Sequence, residues 1–183
     1  GTVYEDDMAQ YCMLGDVRPD DRDASRAAQV HAAFDKIHAV LGLVGLSFGH
    51  VIRTWMYLSD LLEWYDEFNA VRTQFFTEQG VFDGLVPAST GIGVQNPAGT
   101  ALVTDALAIK PKRGMPMACA VPSPLQCPAL AYKSSFSRAV EIGYPDARLL
   151  LVSGTASIHP NGETAFVDST ARQIEMTSSV SRA

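Results

Sequence analysis

Cysteine is scarce in this chain. Only Cys12, Cys119 and Cys127 occur in 183 residues. An odd number with no close C-x-x-C pair supports neither a disulfide framework nor a structural zinc site. The three are therefore read as reduced thiols of a cytoplasmic protein. Charge is also thin: 19% of residues are charged, the net charge is −6 and the pI is about 5.1. That balance argues against a nucleic-acid partner, which calls for a basic face. No run reaches the roughly 20 apolar residues of a membrane helix, and no secretory leader pattern is visible. No membrane partner is expected. G-x-S-x-G, Walker and dinucleotide-binding patterns are missing, so no cofactor is expected. Histidine is rare, and only His31 and His38, with Asp35 between them, have a spacing that suits a metal. They lie beside the apolar stripe of a helix, where a half-buried histidine is ordinary, and no metal is expected. His159 falls in a turn and is read as solvated.

Apolar residues make up 47% of the chain, enough for a packed core. The most legible block runs from His50 to Lys110. Val51, Arg53, Trp55 and Tyr57 alternate with Ile52, Thr54, Met56 and Leu58, which is strand patterning. Ser59-Asp60 then offers a helix cap. Leu61, Leu62, Tyr65, Phe68, Asn69, Arg72, Phe75 and Phe76 recur at helical spacing. A loop marked by Pro and Gly leads to a second apolar strand from Ala101 to Ile109.

Upstream, Met8–Leu14 reads as a strand. Ser25 or Asp23 caps a helix running to about Val44, with Ala27, Val30, Phe34, Ile37 and Leu41 on one face. Residues 112–130 lose periodicity, are rich in proline, and read as an extended linker. Beyond them come a strand-like SSFSRAVEIG, a turn, an apolar strand RLLLVSGTASI, the turn HPNGE, and a helix capped by Asp168 or Ser169.

A repeat emerges from this order. Gln10-to-Asp16, a polar turn and Ser25-to-Gln29 match Leu149-to-Thr155, a polar turn and Ser169-to-Gln173: strand, glycine, turn, capped helix with glutamine at its fifth position. The expected organisation is a first copy over 1–111, a linker over 112–130, and the start of a second copy over 131–183. The first copy is read as lacking its opening strand and the second as incomplete, so the chain reads as part of a longer two-domain protein.

These motifs resemble the Rid (YjgF-like) superfamily. FSRAVEIG with LLLVSGTASIHPNGE is similar to the family's opening hairpin. MYLSD, Phe68-Asn69, PASTGIGV and ALVTDALAIKP are similar to its later half. The resemblance implies an α+β fold, a mixed sheet with two helices on one face. It also implies a homotrimer with ligand clefts between subunits. Deaminases of the family carry Arg in the loop that reads Pro87-Ala88-Ser89-Thr90 here, where it clamps a substrate carboxylate. They also carry a water-positioning Glu where Ala106 stands. A hydroxyl does not replace a guanidinium fork, so ordinary imine deamination is not expected of the first copy.

A narrower resemblance is to chorismatases, through Phe136-Ser137-Arg138-Ala139 and Ser153-Gly154-Thr155-Ala156-Ser157. It implies hydrolysis of an enol ether, with the catalytic acid outside the residues in view. On this basis Arg138, Gly154, Thr155, Ala156, Tyr57, Arg72 and Ser89 are the expected contacts to a small carboxylate ligand. Gly154 would offer close backbone approach, and Tyr57 and Arg72 would meet across the strand–helix junction. Each has a plainer alternative: a surface arginine, a strand-ending turn, a rim tyrosine, a solvated helical arginine, a simple loop. A chorismatase-like enzyme and a non-catalytic metabolite-binding trimer both suit these residues. An endoribonuclease activity fits the acidic balance least.

Overall fold

The computed structural model describes residues 1–112 and 117–183. Two sheets carry the fold. The first contains β1 (Thr2–Glu5), β2 (Ala9–Val17), β3 (Val51–Leu58), β4 (Ala88–Gly93) and β5 (Leu102–Pro111), in the order β1-β2-β5-β3-β4. Only β3 and β4 run parallel. A parallel pair needs a crossover, and α2 (Leu61–Glu78) supplies it, alongside α1 (Arg26–Leu43). The second sheet is the antiparallel set β6 (Ala118–Val121), β7 (Ala139–Gly143) and β8 (Arg148–Val152), followed by α3 (Thr170–Arg182). The α+β class with a mixed sheet is as expected.

Local chemistry explains the helix limits. Ser25 caps α1 by accepting the Ala28 N–H, and Ser169 caps α3 by accepting the Arg172 N–H. Helix α1 ends in a Schellman turn. Gly45 takes φ +73°, the Leu46 N–H donates to the Leu41 carbonyl at 2.9 Å, and both leucines are buried. The start of α2 differs from expectation. Asp60 occupies the cap position at φ 51° without a side-chain cap bond, and Trp64 breaks helical geometry at φ −142°. Its carboxylate is used elsewhere, accepting from Gln95 Nε2 at 2.8 Å. That break resets the phase of the helix. Leu62, expected inside, is 95% exposed, and Trp64 is buried in its place.

Two cores follow from the two faces of the first sheet. Met56, Leu58, Leu102 and Ala106 pack with Val30, Phe34, Phe68, Phe75 and Phe76 of the helices. On the other face Tyr11, Ile52, Ala88 and Ile109 pack with Met117, Val140 and Ile142 of the second-sheet segment. The sheets also meet edge to edge. Ala88 bridges Ser137, the Ser137 N–H donates to the Pro87 carbonyl at 3.0 Å, and the Gly154 N–H donates to the Ser89 carbonyl at 2.9 Å. The outer edge of β4 is thereby covered.

Two expectations need correction. The first copy does have an opening strand: Thr2–Glu5 pairs with Gln10–Met13, and Tyr4 stacks on Tyr11 at 4.6 Å. Its acidity hid it, yet Asp6 closes the turn by accepting the Met8 and Ala9 N–H groups. The linker also contributes structure, since Ala118–Val121 pairs with β7 and Ala129–Tyr132 forms a 3-10 turn. The linker reading at residues 113–116 falls outside the described residues. An antiparallel pair followed by a serine-capped helix occurs as β1-β2-α1 and again as β7-β8-α3. Among the described residues no helix is long and apolar enough to cross a membrane.

Candidate carboxylate-binding site

The site grows from the entry into β7. The 3-10 turn at Ala129–Tyr132 ends on Lys133 at φ 63°, which turns the chain back toward Phe136. Arg138 follows and is held between aromatic faces, its guanidinium carbon 5.3 Å from the Tyr132 ring centre and 5.5 Å from that of Phe136. Nε and Nη2 both donate to one acceptor, the Cys127 carbonyl, at 2.9 and 2.8 Å. Among the described residues no carboxylate pairs with Arg138, and Nη1 is neither bonded nor among the sealed orphan atoms. Burial pushes the Tyr132 phenol upward, and the neighbouring Arg138 charge acts against that shift.

Arg138 lines two adjoining cavities, of about 100 and 220 Å³. Val121, Pro122, Ser123 and Gln126 line both. Gln126 is 6% exposed; its Nε2 donates to the Ala156 carbonyl at 2.8 Å, and its Oε1, sealed from solvent, has no partner among the described residues. The arrangement is a small, mostly apolar hollow with one oriented cation. Such a hollow suits a small anion.

The other expected site residues are distributed as follows. Thr155 lines the smaller cavity, and its hydroxyl donates to the Ser153 carbonyl at 3.2 Å. Ala156 enters through its carbonyl, as the partner of Gln126. The Gly154 N–H is engaged by Ser89, and the close approach there is to Thr90: a Cβ at 154 would lie 3.1 Å from Thr90 Cγ2 and 3.3 Å from its Cα. Ser89 is 5% exposed. Its hydroxyl accepts from Thr54 Oγ1 at 3.0 Å, and its N–H donates to Ser153 Oγ at 2.8 Å.

Tyr57 and Arg72 do not meet. Along β3, Met56 and Leu58 face the helices, so Tyr57 faces the opposite side. There it lines a separate hollow of about 450 Å³ with Asp16, Arg18 and Asn96. Arg72 lies on the helix side, 3% exposed, donating to Asn69 Oδ1 at 2.6 Å and Ser134 Oγ at 2.8 Å. Phe68 and Phe136 flank it at 4.9 and 5.8 Å. Burial pushes its pKa down to about 10. Neither a meeting with Tyr57 nor a solvated helical arginine describes it; Arg72 fastens α2 to the segment leading into Arg138.

Several residues escaped the sequence reading. Gln126 and Cys127 lie in the proline-rich stretch, where no periodicity draws notice. Tyr132 and Phe136, at i−6 and i−2 of Arg138, carry an aromatic signal that was available. Arg53 was read only as part of a strand pattern. It is 6% exposed, stacks on Trp55 at 4.9 Å, donates to Thr90 Oγ1 and leaves Nη1 without a partner among the described residues. His31 Nδ1 donates to Asp35 Oδ2 at 2.8 Å, and His38 is exposed.

The model of the family described as Endoribonuclease L-PSP matches residues 17–108, half of the chain. The chain belongs to that family. Endoribonuclease L-PSP is the YjgF, or Rid, group to which the motifs pointed. The match covers α1 through most of β5, so it rests on the first sheet and its two helices. Among solved structures, a chorismatase superposes over 98% of this chain at a TM-score of 0.75 and 23% identity. The chain spans about half of that protein, 54% of its length. A hypothetical protein from Haemophilus influenzae superposes over 56% of this chain and 84% of its own, at a TM-score of 0.50 and 20% identity. The YjgF gene product of E. coli is 23% identical, with 59% of this chain and 85% of that one covered, at a TM-score of 0.49. At these identities the likeness is one of fold. No curated protein sequence matches the chain.

Proposed function

We propose that this Rid-superfamily protein binds a small carboxylate metabolite in the hollow beside Arg138, within a homotrimer whose neighbouring subunits complete the cleft. The observation that carries the reading is Arg138 itself: a buried, aromatic-flanked guanidinium lining a cavity, with no carboxylate paired to it among the described residues. A buried cation without a counter-charge gains most from an anionic ligand. Ser89 supports the exclusion of deamination, because it is sealed between Thr54 and Ser153 and leaves no room for a clamp. Exposed Val3, Tyr4 and Met13 on the first two strands favour an assembly that covers them. The reading places the protein in the cytoplasm, where free thiols persist.

The enzymatic form of the proposal is chorismatase-like. The resemblance of Phe136–Ala139 and Ser153–Ser157 to chorismatase motifs suggests enol-ether hydrolysis. An acid protonates the methylene carbon, water adds to the resulting cation, and the hemiketal divides into pyruvate and an alcohol. The test is incubation of the protein with chorismate and coupled detection of pyruvate. No pyruvate at high protein concentration would sink the enzymatic form.

One observation favours the alternative, binding without turnover. No Asp, Glu or His side chain lines either cavity among the described residues. Calorimetry with a panel of small acids separates the two, since binding without product supports the second. Light scattering tests the trimer: a monomeric mass at micromolar concentration would remove it.

A further inference from the structure

We infer that Asn161 is a site of spontaneous covalent modification. The Gly162 backbone nitrogen attacks the Asn161 side-chain amide, and an aspartyl or isoaspartyl residue replaces the asparagine. The asparagines of the chain are Asn69, Asn96 and Asn161. Asn69 is 7% exposed inside α2, with both amide atoms hydrogen-bonded. Asn96 precedes Pro97, whose nitrogen carries no hydrogen and cannot become the nucleophile. Asn161 is exposed, lies outside helix and strand, and is followed by glycine.

The turn assembles the reaction. Asn161 Oδ1 accepts the Glu163 N–H at 3.1 Å, an Asx turn. That closure folds the side chain back along the main chain, toward the Gly162 nitrogen. The same Glu163 N–H meets the oxygen on which negative charge gathers as Cγ becomes tetrahedral. Nδ2 donates to Glu163 Oε2 at 2.8 Å, which fixes the amide in this orientation. Gly162, at φ +90°, has no side chain to shield its nitrogen. Its N–H donates to the His159 carbonyl at 2.9 Å, and that bond opens first.

Water is the only co-reactant. The Gly162 nitrogen loses its proton to solvent and bonds to Cγ. The Cγ–Nδ2 bond breaks, and Nδ2 leaves as ammonia. Water then opens the succinimide ring. Cleavage between nitrogen and Cγ gives aspartate. Cleavage between nitrogen and the main-chain carbonyl carbon gives isoaspartate, whose chain runs through Cβ and Cγ. Either product sets a new carboxylate against that of Glu163, where a hydrogen bond stood. Isoaspartate also lengthens the backbone at a packed point. A Cβ at Gly162 would lie 3.4 Å from Tyr132 Cβ, and the Tyr132 ring flanks Arg138 at 5.3 Å. The change thus reaches the ring that holds Arg138.

The test holds the full chain warm at mildly alkaline pH and follows it by peptide mass mapping. Isoaspartate is counted with an isoaspartate-specific methyltransferase. The peptide containing Asn161 should gain the mass of an amide-to-acid exchange, faster as pH rises. Asn161→Gln, which needs the larger glutarimide ring, should stay unmodified. The isoaspartyl fraction, separated by ion exchange, should melt at a lower temperature than fresh protein. Retention of the Asn161 amide, while a free peptide of residues 157–165 converts, would overturn the inference. So would earlier conversion at Asn69 or Asn96. Conversion with an unchanged melting temperature would overturn the link to Tyr132. Should Asn161→Gln fail to fold, mass mapping of the unaltered protein still decides.

Discussion

Arg138 turns two of its guanidinium nitrogens onto one backbone oxygen, that of Cys127, at 2.9 and 2.8 Å. A neutral carbonyl thus holds the edge that a carboxylate takes in a bidentate pair. The consequence is orientation. The side chain is fixed between Tyr132 and Phe136, and no carboxylate pairs with it among the described residues.

Replacing Arg138 by Lys should show that this geometry matters beyond charge. An ammonium keeps the charge but cannot span the Cys127 carbonyl and a ligand together. Affinity for small acids is expected to fall about tenfold or more, measured by calorimetry, with the folded state kept. Unchanged affinity would mean that the fork plays no part.

Asn69 and Arg72 form the buried fastening between α2 and the segment before β7. Asn69 Oδ1 accepts from Arg72 Nη2 at 2.6 Å and from Ser134 Oγ at 3.1 Å. Asn69→Ala strands donors of a buried cation and should destabilise the fold by about 2 kcal/mol in urea unfolding. A change within a few tenths would show that the network relaxes without cost.

Gly154 and Thr90 set the spacing where the sheets meet. A Cβ at 154 meets Thr90 backbone at 3.3 Å, whereas one at Gly143 meets nothing within 4 Å. Gly154→Ala should cost about 1–2 kcal/mol, and Gly143→Ala close to nothing. Equal melting temperatures for the two variants would contradict the contact.

Ser89→Arg restores the deaminase loop in name only. Ser89 is 5% exposed, its hydroxyl accepting from Thr54 Oγ1 and its N–H donating to Ser153 Oγ. An arginine there is a buried unpaired charge, and a loss of about 3 kcal/mol or more is expected, with no gain of imine deamination. A stable variant with deaminase activity would overturn the account of this loop.

His50 supplies a pH dependence. Burial, and then the charge of Lys110, hold its pKa below the usual 6.5, and its Nδ1 accepts the Ser47 N–H at 2.9 Å. The folded state prefers the neutral ring. Its contribution is fully present above about pH 6.5, where the unfolded chain is also neutral, and is lost as pH falls through the lower folded value. Denaturant midpoints should drop between pH 7 and 5, and His50→Gln should flatten that slope.

Periodicity was enough to find α1, α2, β3 and β5, because each depends on neighbours within a few residues, and the order of such stretches along the chain pointed to the family. The Ser25 cap and the alternation from Arg53 to Leu58 are local statements, and a chain states them aloud; the register shift between Val51 and Arg53, which sends Val51 to the helix side and Ile52 to the other, is not one of them. The fate of individual polar groups was not legible in that way. Whether Arg72 is solvated or sealed, whether the Ser89 hydroxyl faces solvent or Thr54, and whether Gln126 meets Ala156 depend on segments 62, 35 and 30 residues away. Those partners are chosen by how two sheets close on each other, since burial and hydrogen-bond satisfaction belong to the packed chain and not to any stretch of it.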